Sequence, residues 1–274
     1  MDEGTREVGI VSGYRRLGCT PAQCLASFFC RNVETANLWT HLAPAVYFLW
    51  RLVQLTDSQP HWSRDAYTWP LHFYMMTCVM YPSMSCAAHA LSALSSTARH
   101  ICFFADYTAI SMYSFGCALL YRGYVLPDRL MSSPLAGPFL QVAVVNSLAC
   151  TTAACASRFV GDARWQKVLR LGSFTVPYLW DTIPLLFYRL LPCWMADSDE
   201  NSALSSSSSS SSSSCGPAEY LHTGQLIAAF LASFFYATHL PERLYPGKST
   251  DCPRGITELT GFREIKPLKM STEI

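Results

Sequence analysis

Residues 69–121 read WPLHFYMMTCVMYPSMSCAAHALSALSSTARHICFFADYTAISMYSFGCALLY. Two apolar runs, 69–94 and 100–121, flank a short polar break that ends in Arg99. Crossing a hydrocarbon core takes roughly 20 mostly apolar residues in a helix, so each run is long enough to span a membrane. The pair reads as two antiparallel transmembrane helices joined by a tight turn. Inside them lie Ser85, His89 and Asp106. An ionisable side chain in hydrocarbon costs a few kcal/mol, and such residues mark a metal, substrate or proton site by default.

Working outward, four further runs have spanning length: approximately 36–56, 137–157, 168–192 and 220–240. The fourth run along the chain, with PFLQVAVVNSLACTTAACA at its centre, is rich in small residues that let helices approach closely in lipid. Prolines in the second and fifth runs (Pro70, Pro82, Pro177, Pro184) predict kinks within spans. Trp39, Trp69, Tyr121, Tyr124, Trp194 and Tyr220 sit near run ends, where aromatic belts meet the membrane interface. The fold expected is an all-α, polytopic transmembrane helical bundle with six spans. Its parts are a cytoplasmic N-terminal segment 1–35, a helical domain 36–247 and a tail 248–274. No cleavable signal peptide is expected, because the first apolar run follows some thirty mixed residues.

Composition agrees. Half of the residues are apolar, 14% are charged and the formal charge is +1, so no basic field exists to hold nucleic acid. With the N-terminus inside, 15 of the 20 Lys plus Arg fall on the cytoplasmic side, and Arg51, Arg64, Arg122, Arg129 and Arg189 fall outside. That asymmetry sets the orientation.

The twelve cysteines include no C-x-x-C pair. Those within spans, such as Cys78, Cys86 and Cys150, read as small apolar residues. Cys193 and Cys215 flank the outer loop, where a disulfide is permitted but not deducible. Loop 195–218 carries ten consecutive serines, 205–214, and is expected to be a disordered linker. No N-x-Ser/Thr glycosylation acceptor occurs.

At 1.5 Å rise per residue, His89 lies about 15 Å and Asp106 about 10 Å along the chain from Arg99, so both reach similar depth on neighbouring helices. Ser85, one turn before His89, shares its face and is placed to orient the imidazole or a water. Imidazole and carboxylate suit zinc, but two ligands do not complete a site. The competing reading for each is an interhelical hydrogen bond. Asp181, between Pro177 and Pro184, reads either as a polar anchor for a ligand in an apolar pocket or as a helix-helix contact.

Residues 31–42, RNVETANLWTHL, resemble the N-E-T-x-N-I-W-T-H-L signature of the progestin and adipoQ receptor family. GYR at 13–15, Ser85-x-x-x-His89, RHICFFADYTAIS at 99–111 and HLPERLYPG at 239–247 match it in order. SGYRR, WTHLAPAVYFLWRL and PYLWDTIPLLFYRL resemble its membrane progestin receptor branch, near the gamma or delta type. The resemblance implies a seven-helix receptor with a cytoplasmic N-terminus, and zinc held by the second-span histidine and a seventh-span H-x-x-x-H, with the third-span aspartate close by. His89 and Asp106 map onto the first histidine and the aspartate, and Ser85 onto the preceding serine. After Gly247 the chain reads KSTDCPRGITELTGFREIKPLKMSTEI, without a seventh apolar run or a histidine. Zinc is therefore expected to meet an incomplete site, with His239 and His41 as weak substitutes for the missing ligands.

The function expected is a plasma-membrane receptor for a progestin-type steroid, with the endoplasmic reticulum as the alternative location. The alternatives are a zinc-dependent, ceramidase-like lipid amide hydrolase using Ser85 and Asp106, and a non-catalytic form that modulates full-length receptors. The missing H-x-x-x-H pair weighs against the hydrolase. The partners expected are a steroid or other lipid, membrane lipids, a G protein and a homo- or hetero-oligomer.

Overall fold

The computed structural model describes residues 13–134, 136–202 and 215–238. Every regular element among them is helical: α1 (Pro21–Ala26), α2 (Thr35–Ser58), α3 (Trp69–Leu91), α4 (Ser96–Leu120), α5 (Asp128–Met131), α6 (Phe139–Ala156), α7 (Ala163–Leu185), α8 (Leu191–Ser202) and α9 (Pro217–Thr238). Consecutive long helices run antiparallel and pack in chain order, with α4 central against α3, α6 and α7. The N-terminal segment lies at the end of the bundle that also carries the α3–α4 and α6–α7 turns. That end is called the N-terminal end below.

Each of the six expected spans is a helix, and the boundary shifts have local causes. Helix α4 begins four residues before residue 100 because Ser95 caps it, its hydroxyl accepting from the Ala98 amide at 3.0 Å. The fifth span starts at Ala163 because Asp162 caps α7, accepting from the Arg164 amide at 2.7 Å. At its far end α7 passes through a π turn, Leu186–Leu190, and continues as α8 to Ser202. The loop expected over 195–218 is thus shorter at both ends. Its serine run lies outside the described residues, as do the whole segment expected as tail, His239 and residues 1–12. The Cys193–Cys215 disulfide forms across 22 residues and joins α8 to the start of α9. Closing a loop of that size restricts the unfolded chain by about 3 kcal/mol.

Among the described residues, only Phe139–Phe159 is a continuous apolar run by length and composition. Helices α3 and α4 carry polar residues on their inward faces. His72, Thr77 and Ser85 are buried on α3, and Asp106 and Ser111 on α4. Outward faces are apolar and aromatic, for example Val46, Leu49, Trp50 and Val53 on α2. This inside-out distribution is what a bundle in lipid requires. The α3–α4 seam is tight at Gly116, where a Cβ would lie 2.6 Å from Thr77 Oγ1.

At the end opposite the N-terminal segment, Arg189 donates to Glu219 at 2.7 Å and to the Val125 carbonyl at 3.3 Å, tying α9 and the turn after α4 to α7. The bond from Arg189 holds the Glu219 carboxyl below the usual range for a glutamate.

Two outcomes follow. Gly116→Ala should cost about 1–3 kcal/mol by overpacking, and Thr77→Ala in the same chain should recover most of it; thermal unfolding of the single and double variants measures both. The Glu219 contribution is fully present above the ordinary glutamate pKa and is lost as pH falls through the lowered one. Melting temperatures of the Glu219→Gln variant and the parent should therefore differ near about pH 6 and draw together as pH falls from the ordinary glutamate pKa through the lowered one.

Candidate functional site

Three helices meet near the N-terminal end of the bundle. Helix α3 carries Ser85 and His89 on successive turns, α4 carries Asp106, and the start of α2 carries Glu34, Asn37 and His41. Ser85 and Asp106 are buried side by side. The Asp106 Oδ1 is buried without a hydrogen-bond partner. His89 packs edge-on against Phe103, with ring centroids 5.6 Å apart. The three residues singled out in the sequence are thus brought together.

Glu34 was not among them. Its Oε2 lies 2.7 Å from His89 Nδ1 and also accepts from Asn37 Nδ2 at 2.9 Å. A carboxylate on Nδ1 fixes the imidazole orientation and leaves Nε2 as the reactive nitrogen. Burial pushes the Glu34 carboxyl up, but the hydrogen bond and charge of His89, with Asn37 and Arg15, outweigh it and hold the group below the usual range. The only signal in the sequence was position: Glu34 lies three residues before Asn37 and one turn before Leu38, at a helix start.

His41 sits closer to the site than expected. Its ring centroid is 5.9 Å from that of His89, and its Nδ1 is 2.7 Å from the Asn37 carbonyl. Even so, among the described residues no group of three or more His, Cys, Asp or Glu is arranged to hold a metal ion. The orphaned Asp106 oxygen and the open His89 nitrogen are the right donor types for zinc, but the described residues do not complete its shell.

The second missed residue is Arg15, from the GYRR motif. Its guanidinium donates to the carbonyls of His89 and Ala90 (2.7 Å to the latter) and to the hydroxyls of Ser27 and Ser92 at 2.9 and 3.0 Å. A cation on the last carbonyls of a helix satisfies groups that have no partner within it and complements the helix dipole. The strap continues with the Gly18 and Cys19 amides, which both donate to the Ala93 carbonyl at 3.0 and 3.1 Å. Gly18 has φ +87°, a left-handed conformation that glycine adopts without strain. His89 is thereby held from its side chain by Glu34 and from its backbone by Arg15.

Asp181 lies elsewhere. It is 4% exposed near Cys117 of α4 and Tyr121 just after it, in the half of the bundle away from the N-terminal end. On the adjacent face of α7 a cavity of about 510 Å³ is lined by Leu130, Phe139, Trp180, Ile183, Phe187 and Tyr188, among others. Trp180 stacks on Phe139 at 5.6 Å, and its Nε1 donates to the Phe139 carbonyl at 3.1 Å, which fixes the plane of the indole.

The haemolysin-III related family matches residues 29–252. Membrane progestin receptor gamma-B of Danio rerio is 40% identical over 259 residues, which cover 88% of this chain and 70% of that protein. Membrane progestin receptor delta of Homo sapiens is 41% identical over 245 residues (88% and 67%), and the Homo sapiens gamma receptor is 39% identical over 247 (88% and 68%).

Replacing the Arg15 clamp should loosen the end of α3. Arg15→Ala is expected to cost about 2–4 kcal/mol, since it leaves several carbonyls and hydroxyls without their charged donor. Hydrogen exchange at the Gly18 and Cys19 amides should speed up while exchange in α7 stays unchanged; equal protection in parent and variant would remove Arg15 from this role.

Proposed function

This chain belongs to the haemolysin-III related family and, within it, to the membrane progestin receptor branch of the progestin and adipoQ receptors, and from that premise we propose that it binds a progestin-type steroid at the plasma membrane. It is an integral membrane protein of receptor type. The observation that carries the steroid reading is the similarity of about 40% to receptors named for progestins, extending over 88% of the chain.

The proposed topology places the N-terminus in the cytoplasm. Two independent features support it: the excess of Lys and Arg at that end, and a disulfide at the opposite end, as expected of an oxidising compartment. In this arrangement His89, Glu34 and Arg15 lie toward the cytoplasm. The aromatic cavity and Asp181 lie toward the outside.

The steroid skeleton is proposed to occupy the cavity between α6 and α7. Its volume of about 510 Å³ is in the range of small-molecule sites, and the fixed Trp180 and Phe139 rings offer a flat wall to a rigid polycyclic ligand. Asp181 is one residue away on a different face of α7, so its role as polar anchor is separable from the cavity. A second reading, lipid amide hydrolysis, is supported by the buried Ser85 and the orphaned Asp106 carboxylate oxygen beside it.

Membranes containing the chain are expected to bind progesterone saturably, with a chelator present or absent. Trp180→Ala should weaken binding about tenfold by removing one wall of the cavity, whereas Asp181→Asn should leave it near the parent value. Loss with Asp181→Asn alone would move the ligand to the α4 side of α7. No saturable binding would reject the steroid reading, and chelator-sensitive release of fatty acid from ceramide would favour the hydrolase.

A further inference from the structure

The turn between α6 and α7 holds a feature that the steroid reading does not use. Ser157 ends α6 in a 3₁₀ turn and is fully buried. Two arginines of this turn region are fastened by their Nε atoms. Arg170, from α7, donates Nε–H to Ser157 Oγ at 3.0 Å. Arg158 donates Nε–H to His100 Nδ1 of α4 at 3.2 Å, and its guanidinium lies 4.6 Å over the Phe103 ring.

Anchoring by Nε fixes each guanidinium plane while leaving its outer pair of nitrogens available. Among the described residues, the Nη groups of Arg158 and Arg170 have no hydrogen-bond partner. Two oriented guanidiniums with open Nη edges match the oxygens of a phosphate, which Arg binds in bidentate fashion.

Charge and placement narrow the ligand. Residues 157–170 carry Arg158, Arg164, Lys167 and Arg170 against one acid, Asp162. Asp162 is already engaged as the cap of α7, accepting from the Arg164 amide. Phe159 is 72% exposed, with its ring stacked on His100, and Trp165 is 60% exposed. Both lie at the ends of membrane-spanning helices, where aromatic side chains rest among lipid headgroups. An anion reached at that depth, between two exposed aromatics, belongs to the bilayer.

We propose that the α6–α7 turn binds the phosphate headgroup of an anionic phospholipid of the leaflet it faces, with Arg158 and Arg170 as its two ligands. Basic pockets between helices hold anionic headgroups in this way, each cation near the surface adding to the attraction. The site stands apart from the α6–α7 cavity, which opens near the other ends of the same helices, so steroid binding need not depend on it.

Native mass spectrometry of the purified full chain with phosphatidylinositol 4,5-bisphosphate tests the assignment, with phosphatidylcholine as the neutral arm. The parent should retain the anionic lipid and not the neutral one. The R158Q/R170Q double variant should hold it about tenfold more weakly, while R64Q, which removes one positive charge at the opposite end of the bundle, should match the parent. Equal retention by parent and double variant would overturn the proposal. So would competition by millimolar inorganic phosphate that matches the lipid's affinity, or by a poly-glutamate peptide, which would assign the site to a free anion or a protein partner. If the double variant does not fold, R158K/R170K keeps the charge without the fork; weakened binding supports the assignment, and parental binding overturns it.

Discussion

Hydrocarbon offers a helix no hydrogen-bond partner, so every backbone group at a helix end within reach of the bilayer must be met by the protein itself. In this chain that requirement is concentrated where α3 stops. The last carbonyls of α3 are met by a single guanidinium from 70-odd residues upstream, Arg15, and the Gly18 and Cys19 amides meet the Ala93 carbonyl just past the helix end. The same strap fixes where α2 begins, through the Val33 amide on the Gly13 carbonyl at 3.0 Å. With α2 and α3 set in register, Glu34 reaches His89 and α4 packs back along α3 to bring Asp106 beside Ser85. The central helices of the bundle are thus ordered from one charged side chain that lies outside every apolar run.

The spans were legible because a bilayer makes length and apolarity nearly sufficient. Capping residues set the remaining detail: Ser95 and Asp162 start α4 and α7 several residues before hydropathy alone would place them. Hydropathy misleads in one instructive way. Helices α3 and α4 carry His72, Thr77, Ser85 and Asp106 inward, which lowers their mean hydropathy although their outward faces are mostly apolar. A window average cannot separate two faces of one helix, whereas the pairing of those polar residues in space can.

The site was legible in part. Ser85 and His89 share a face by helical spacing, and matched depth placed Asp106 opposite them. Glu34 and Arg15 were not, because their roles depend on tertiary placement: Glu34 lies 55 residues from His89 in sequence and Arg15 lies 74. Each sat within a recognisable motif, but nothing in a motif states which distant atom it serves. Asp181 was left open between a ligand anchor and a helix-helix contact, and its orientation was not legible: α7 turns it toward Cys117 and Tyr121, with the cavity on the neighbouring face.

The Cys193–Cys215 bond has an implication for how this chain can vary. It joins α8, ahead of the serine run, to the chain directly after it, so α8 and α9 are held together whatever the number of serines between them. The entropy of closing a loop grows only with the logarithm of its length, about 0.6 kcal/mol for each doubling. A homopolymeric tract of this kind is prone to gain or lose repeats when DNA is copied. With its ends covalently joined, such drift in length leaves the register of the receptor helices untouched, and the tract is free to evolve at a rate set by its codons rather than by the fold.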